Sequence, residues 1–219
     1  MFDLTAYLAE RQVAVAQRLL EWLPPADQRP AVLSQAMRHA VVTGGKRLRP
    51  ILCLAAAEAA GGTGDAAWHP AIAVELLHAY TLVHDDLPCM DNDTVRRGQP
   101  TVWARYGEST AVLAGDALQS LAFELLARTP ACDPAIPGIL VGELAGAAGA
   151  GGIIGGQIED LACGGQADAA TVAYVHQHKT ADLFRAAARM GAIAAGADTG
   201  LTDRLGDFGS HLGVAFQII

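Results

Sequence analysis

Proline and glycine cut this chain into long segments, and inside each segment apolar residues recur at helical spacing. Residues 4–23 form one amphipathic run that ends at Pro24-Pro25. Residues 30–43 form a second, stopped by Gly44-Gly45, and residues 50–60 a third, opened by Pro50 at its first position and closed by Gly61-Gly62. Further helices are expected over 70–86, over 109–128 with Ser109 as N-cap, over 134–161, over 170–195, and from Thr202 to the last residue. No stretch alternates with period two over a useful length, and nothing resembles a hairpin turn. Alanine is abundant and only 5% of residues are aromatic, which favours helix over strand. The expectation is an all-α chain, residues 1–219 forming a single helical bundle. The small residues at 145–156 predict close approach of a neighbouring helix.

Composition excludes several functions. With 52% hydrophobic residues in 219, the chain is not a disordered one. A net charge of −8 argues against nucleic acid and anionic membranes as partners. Residues 1–10 lack a basic-then-apolar leader, and the apolar stretch 144–158 is shorter than the roughly 20 residues a membrane span needs. Cys53, Cys89, Cys132 and Cys163 show no C-x-x-C spacing, so they read as small buried hydrophobes in a reducing, cytoplasmic setting.

Against this acidic background two clusters stand out. After the apolar run 72–83 comes His84-Asp85-Asp86-Leu87-Pro88-Cys89-Met90-Asp91-Asn92-Asp93, then Arg96-Arg97-Gly98. Four carboxylates so close repel unless a cation neutralises them, and hard oxygen donors suit Mg²⁺. A helix C-terminus disfavours aspartate, which argues against a merely solvated helix end. Pro88 breaks the helix, so Asp91 folds back towards Asp85. An EF-hand is excluded, because the sixth position counted from Asp91 is Arg96 and the twelfth Val102. The second cluster is Gly44-Gly45-Lys46-Arg47-Leu48-Arg49-Pro50, glycines and cations ahead of a helix, suited to phosphate. It is not a Walker A loop. His78 lies two helical turns before Asp85, on the same face. Together these point to a polyphosphate substrate held between Mg²⁺ and basic side chains.

In this order the motifs resemble those of trans-prenyl diphosphate synthases. The segment from His78 to Asp91 with Arg96-Arg97-Gly98 is similar to that family's first aspartate-rich motif, and Gly44 to Pro50 to its Gly-Gly-Lys-x-x-Arg-Pro motif. Ala114-Gly115-Asp116-Ala117-Leu118, Gly156-Gln157-Ile158-Glu159-Asp160-Leu161, His178-Lys179-Thr180 and Gly213 to Gln217 resemble its later landmarks. The resemblance implies that Asp85 and Asp91, supported by Asp86, hold Mg²⁺, with Mn²⁺ as an alternative. It implies isopentenyl diphosphate on Lys46, Arg49, His78 and Arg97, and the allylic diphosphate on Arg96 and Lys179. Thr180 and Gln217 would line the reacting carbons, with Gln157 and Asp160 facing the metal. Ile72, Val74, Leu77 and Leu82 are expected in the apolar lining that shields an allylic cation from water.

Tyr80 and Thr81, one turn before Asp85, are expected to limit product length. Tyr80 as a floor, and the resemblance of the Asp85 to Asp91 spacing to that of bacterial farnesyl-type synthases, favour a C15 product, farnesyl diphosphate, over the C20 alternative. The resemblance also implies mostly antiparallel helices around a central cavity, assembled as a homodimer. The family's second aspartate-rich motif would begin just after Ile219, so the sequence is expected either to lack a C-terminal part or to be a degenerate member. Two other readings compete. One is an HD-type metal phosphohydrolase using His84-Asp85 with His39, His69, His176 or His178. The other is a catalytically silent partner subunit.

Overall fold

The computed structural model describes residues 2–42, 44–63, 65–131, 133–163 and 166–218. The expectations for Thr43 at the end of the second helix, for burial of Cys132 and for the final helix at Ile219 lie outside the described residues. Among the described residues the structure is helical apart from one hairpin of two two-residue strands. It divides into two compact units, with the divisions after Arg47, after Val74 and after Glu124.

The first unit, residues 2–47 and 75–124, holds α1 (Leu4–Trp22), α2 (Ala31–Val42), the C-terminal part of α4 (Trp68–Asp85), the hairpin β1 (Val95–Arg96) and β2 (Gln99–Pro100), α5 (Val102–Tyr106) and most of α6 (Glu108–Ala127). Asp3 caps α1, its carboxylate accepting from the Ala6 amide at 3.0 Å. The hairpin pairs Val95 with Pro100 and Arg96 with Gln99. Its two-residue turn, Arg97-Gly98, has φ of 53° and 74°, the left-handed pair a type I′ turn needs. The sequence reading missed this hairpin because Arg-Gly is not a habitual turn pair. Ser109 lies inside α6 and is not its cap, since the helix already begins at Glu108, directly after Gly107, the C-cap of α5.

The second unit, residues 48–74 and 125–218, holds α3 (Leu48–Ala59), a short 3₁₀ turn (Asp65–Ala67), the start of α4, the end of α6, α7 (Ile136–Ala148), α8 (Ile153–Cys163), α9 (Ala169–Val175), a π-helical segment (His176–Ala181), α10 (Asp182–Ala194) and α11 (Thr199–Ile218). At its centre is α10, which packs on α3, α7 and α11 and buries Leu183, Phe184, Ala187 and Met190 completely or nearly so. Glycines let α11 approach: a Cβ at Gly209 would lie 2.6 Å from the Phe184 carbonyl oxygen, and one at Gly213 2.6 Å from the Ala181 Cα.

Three expectations need correction. α3 starts at Leu48, so Pro50 sits at its third position, where the missing N–H is still unneeded. Residues 134–161 are not one helix, because the chain turns between Ala148 and Ile153. The 170–195 run changes register through the π segment. By length and composition Glu108–Ala127 and Ile136–Cys163 are apolar enough to cross a membrane. The second is this interrupted α7–α8 pair, and the first buries Ala111, Ala114, Leu118 and Ala122 fully within the fold. The cysteines divide: Cys53 is fully buried and its thiol pKa is pushed well up by that burial, whereas Cys89 is exposed, because it lies in the turn beyond α4.

Candidate active site

In the first unit the acidic turn closes on itself. Helix α4 ends at Asp85, and the Asp91 amide donates back to the Asp85 carbonyl at 2.8 Å. The chain between them is held by bonds from Met90 and Asn92 to the Leu87 carbonyl, and Asn92 takes φ 55° to make the turn. Asp85 is half-buried and Asp91 exposed. Asp86 points elsewhere: its buried carboxylate accepts from Arg96 Nε at 2.8 Å and Nη2 at 2.5 Å. Burial raises the Asp86 pKa, and the hydrogen bonds from Arg96 hold it down in part. Arg96 also lies 3.6 Å from Asp93.

The donor set bears on the metal. Among the described residues no three His, Cys, Asp or Glu side chains converge on one point. Asp85 and Asp91 remain as hard oxygen donors on one turn. That is the number Mg²⁺ takes when the rest of its shell comes from water and substrate phosphates. The residues therefore fit a cation shared with a diphosphate, and not a self-sufficient protein cage. His39 contacts the Pro100 carbonyl at 2.8 Å and His178 contacts Asp182 at 2.8 Å.

The basic loop next to α2 is more differentiated than its sequence. Lys46 is exposed. Arg47, its neighbour, is buried and paired with the equally buried Glu75 of α4 at 2.5 Å, and it donates to the Val41 carbonyl. Arg47 is thus structural. Arg97, on the hairpin turn, donates to the Gly44 carbonyl, and a Cβ on Gly45 would lie 2.6 Å from its Nη1. Gly45 has φ 135°, and Gln12 of α1 donates to its carbonyl at 2.6 Å. Desolvation and the nearby Arg47 lower the Arg97 pKa. The hairpin sends its two arginines apart, Arg96 to Asp86 and Arg97 to the glycines.

His78 is half-buried, one helical turn before Leu82 on α4. Tyr80 is 8% exposed and packs edge-on against His84, with ring centroids 5.2 Å apart. His84 is held in turn against the Val112 carbonyl at 3.0 Å, and a Cβ on Gly115 would collide with its ring. The Gly-Asp of α6 thereby has a local reason: Gly115 admits the imidazole, and Asp116 lies 3.9 Å from it. Thr81 donates to the His78 carbonyl at 2.8 Å. Ile72, Val74 and Leu77 are wholly enclosed by packing, and Leu82 is half-buried.

The second unit carries the remaining candidates. Lys179 and Thr180 lie in the π segment. Lys179 pairs with Asp160 of α8, and Thr180 donates to Gln217 Oε1 of α11 at 2.8 Å. Thr180 and Gln217 are 37 residues apart in the sequence, and the structure joins them by a direct bond. Gly156 abuts the Lys179 backbone so closely that any Cβ would overlap its nitrogen. Beside it Gln157 is 8% exposed, and neither of its side-chain polar atoms has a hydrogen-bond partner among the described residues. Buried amide atoms without partners await a ligand or water. Arg49, at the start of α3, lays its guanidinium over the Phe184 ring, 4.5 Å from the centroid. Sequence reasoning missed Gln177, Asp182 and Ser210, which are bonded to one another around the π segment. Spacing of five residues carries no signal in an α-helical reading.

A chloroplastic geranylgeranyl pyrophosphate synthase of Arabidopsis thaliana is 43% identical across all of this chain, which covers 63% of that protein. A chloroplastic geranylfarnesyl diphosphate synthase of Leucosceptrum canum is also 43% identical, again across the whole chain and 61% of the relative. The chain therefore spans about three fifths of the length of these curated relatives. The crystal structure of an FPP/GFPP synthase from Zymomonas mobilis superposes with a TM-score of 0.92 at 38% identity, covering 98% of this chain and 78% of that one. The helices thus form the all-α fold of isoprenoid synthases. A family model described as polyprenyl synthetase matches residues 30–219, and the chain belongs to that family.

Proposed function

We propose that the protein is a Mg²⁺-dependent prenyltransferase that joins isopentenyl diphosphate to an allylic diphosphate such as dimethylallyl or geranyl diphosphate. The observation that carries this reading is the back-bonded Asp85–Asp91 turn with Arg96 and Arg97 on the adjoining hairpin. It is a two-carboxylate donor set beside arginines, suited to a metal-bound diphosphate.

Mg²⁺, when held by Asp85 and Asp91, supplies positive charge to the oxygens of the leaving diphosphate. Asp86 supports this indirectly, by fixing Arg96. In the first unit Arg96 takes the allylic diphosphate and stabilises the charge that develops as the C–O bond breaks; in the second, Lys179 has the same role by the family resemblance. The isopentenyl double bond attacks the allylic carbon, and a proton then leaves to the departed diphosphate. No protein base is required. In the first unit Lys46, His78 and Arg97 bind isopentenyl diphosphate; in the second, Arg49 is a further diphosphate contact, and Thr180, Gln217 and Gln157 present polar groups towards substrate. Alanine at Asp85 or Asp91 is expected to reduce kcat by about a hundredfold or more, as loss of electrostatic stabilisation does. Near-normal turnover of either variant would remove the metal role from that residue.

For product length we propose a C15 stop at Tyr80, supported by its burial and its fixed packing on His84. Tyr80→Ala is then expected to lengthen the products, read by chromatography of the dephosphorylated alcohols. The C20 reading has support of its own, in relatives named geranylgeranyl synthases. It predicts a wild-type product already past C15 and unchanged by the substitution. A homodimer is supported by a stripe of exposed apolar side chains on one face of α8, Ile154, Ile158 and Leu161.

A further inference from the structure

The π segment His176–Ala181 carries both Lys179 and Thr180, and a π turn is a costly register that persists only when its surroundings hold it. Two bonds span its five-residue ring. The Asp182 backbone N–H donates to the Gln177 carbonyl. The Asp182 carboxylate accepts from Gln177 Nε2 at 2.9 Å. The second oxygen of that carboxylate pairs with His178 Nδ1 at 2.8 Å. Gln177 is itself tied to α11, donating to Ser210 Oγ at 3.2 Å. The same helix supplies Gln217, seven residues on and so on the same face, which accepts from Thr180.

We propose that Asp182 is a positioning residue which, through Gln177 and Ser210, locks the π register and thereby aims Lys179 and Thr180. This rests on the reading that those two residues serve the allylic substrate. The alternative role for an acid in the first turn of α10 is a helix cap. It does not apply, because the π segment runs directly into α10 and the first amide of α10 is already bonded. A His–Asp pair at four-residue spacing suits an ordinary α-helix equally well and would not select the register. The Gln177–Asp182 bond, at five-residue spacing, does. Reversion to α register would rotate residues before the turn by about 100° relative to those after it, which is one residue's step in a helix.

The test compares Asp182→Asn with Asp182→Leu. Asparagine keeps an acceptor for Gln177, and leucine keeps volume alone. The leucine variant is expected to lose about tenfold or more in kcat, with a raised KM for geranyl diphosphate and an unchanged KM for isopentenyl diphosphate. The asparagine variant should stay close to wild type. Amide exchange across residues 177–182 should quicken in the leucine variant alone. Wild-type turnover and wild-type exchange in Asp182→Leu would overturn the proposal. So would an equal fall in both variants that follows their thermal midpoints and moves both KM values together. If the wild-type protein forms no carbon–carbon bond, the reading of the reaction fails on its own. The exchange comparison still decides the clamp, faster exchange in the leucine variant supporting it and unchanged exchange overturning it.

Discussion

A methyl group at Gly45 has no room without moving Arg97. Its Cβ would lie 2.6 Å from the guanidinium, and φ of 135° strains any L side chain there. Gly45→Ala is therefore expected to cost about 1–3 kcal/mol of stability and to raise the KM for isopentenyl diphosphate roughly tenfold, the scale of one charge-assisted hydrogen bond. Denaturant melts and initial rates check the two parts separately, and an unchanged KM would free Arg97 of its substrate role. Glu75 makes a different prediction. It is the buried partner of Arg47, so Glu75→Ala leaves an uncompensated guanidinium and should cost about 3–5 kcal/mol in urea unfolding. A loss well under 1 kcal/mol would mean that Arg47 finds solvent or another acceptor. These two residues also mark how far the basic motif was legible. Lys46, Arg47 and Arg49 look alike as a charge cluster, but burial against Glu75 turns one of them into a structural ion pair, and nothing local announces that partner 28 positions away.

At the scale of elements, the helices were readable because proline and glycine bound them and little else in the chain competes. Asp85 and Asp91 were readable as a turn because Pro88 cannot continue α4. The π segment was not readable. Around it stand the Gln177–Asp182 bond, bonds to α11 and the close backbone of α8 at Gly156, and a five-residue spacing has no signature in a helical pattern. The arginine hairpin escaped for the related reason that Arg97 takes positive φ under the hold of the Gly44 carbonyl. Gly156→Ala tests the outside control. The added carbon meets the Lys179 backbone, which cannot swing aside as a side-chain tip would. The variant should lose about 1–3 kcal/mol and show faster amide exchange at residues 177–181 than elsewhere in α10. Wild-type exchange with wild-type stability would show that α8 does not constrain the turn.

For the whole molecule, the match to the polyprenyl synthetase family runs across residues 30–219 and so spans the candidate residues of both units. On the proposed reading the carboxylate turn and the arginine hairpin of the first unit serve metal and diphosphate, and the π segment of the second unit serves the allylic substrate; a phosphohydrolase would leave the basic loop and the Gly156–Leu161 motif without a role. The silent-subunit reading shares the fold and differs only in turnover. The most direct measurement is a condensation assay with the protein, Mg²⁺, geranyl diphosphate and labelled isopentenyl diphosphate, the products resolved by chain length. The account predicts label in a prenyl chain at least one five-carbon unit longer than geranyl, accumulating at C15 and moving beyond it in Tyr80→Ala. Release of inorganic phosphate or diphosphate with no label in any longer chain would contradict it.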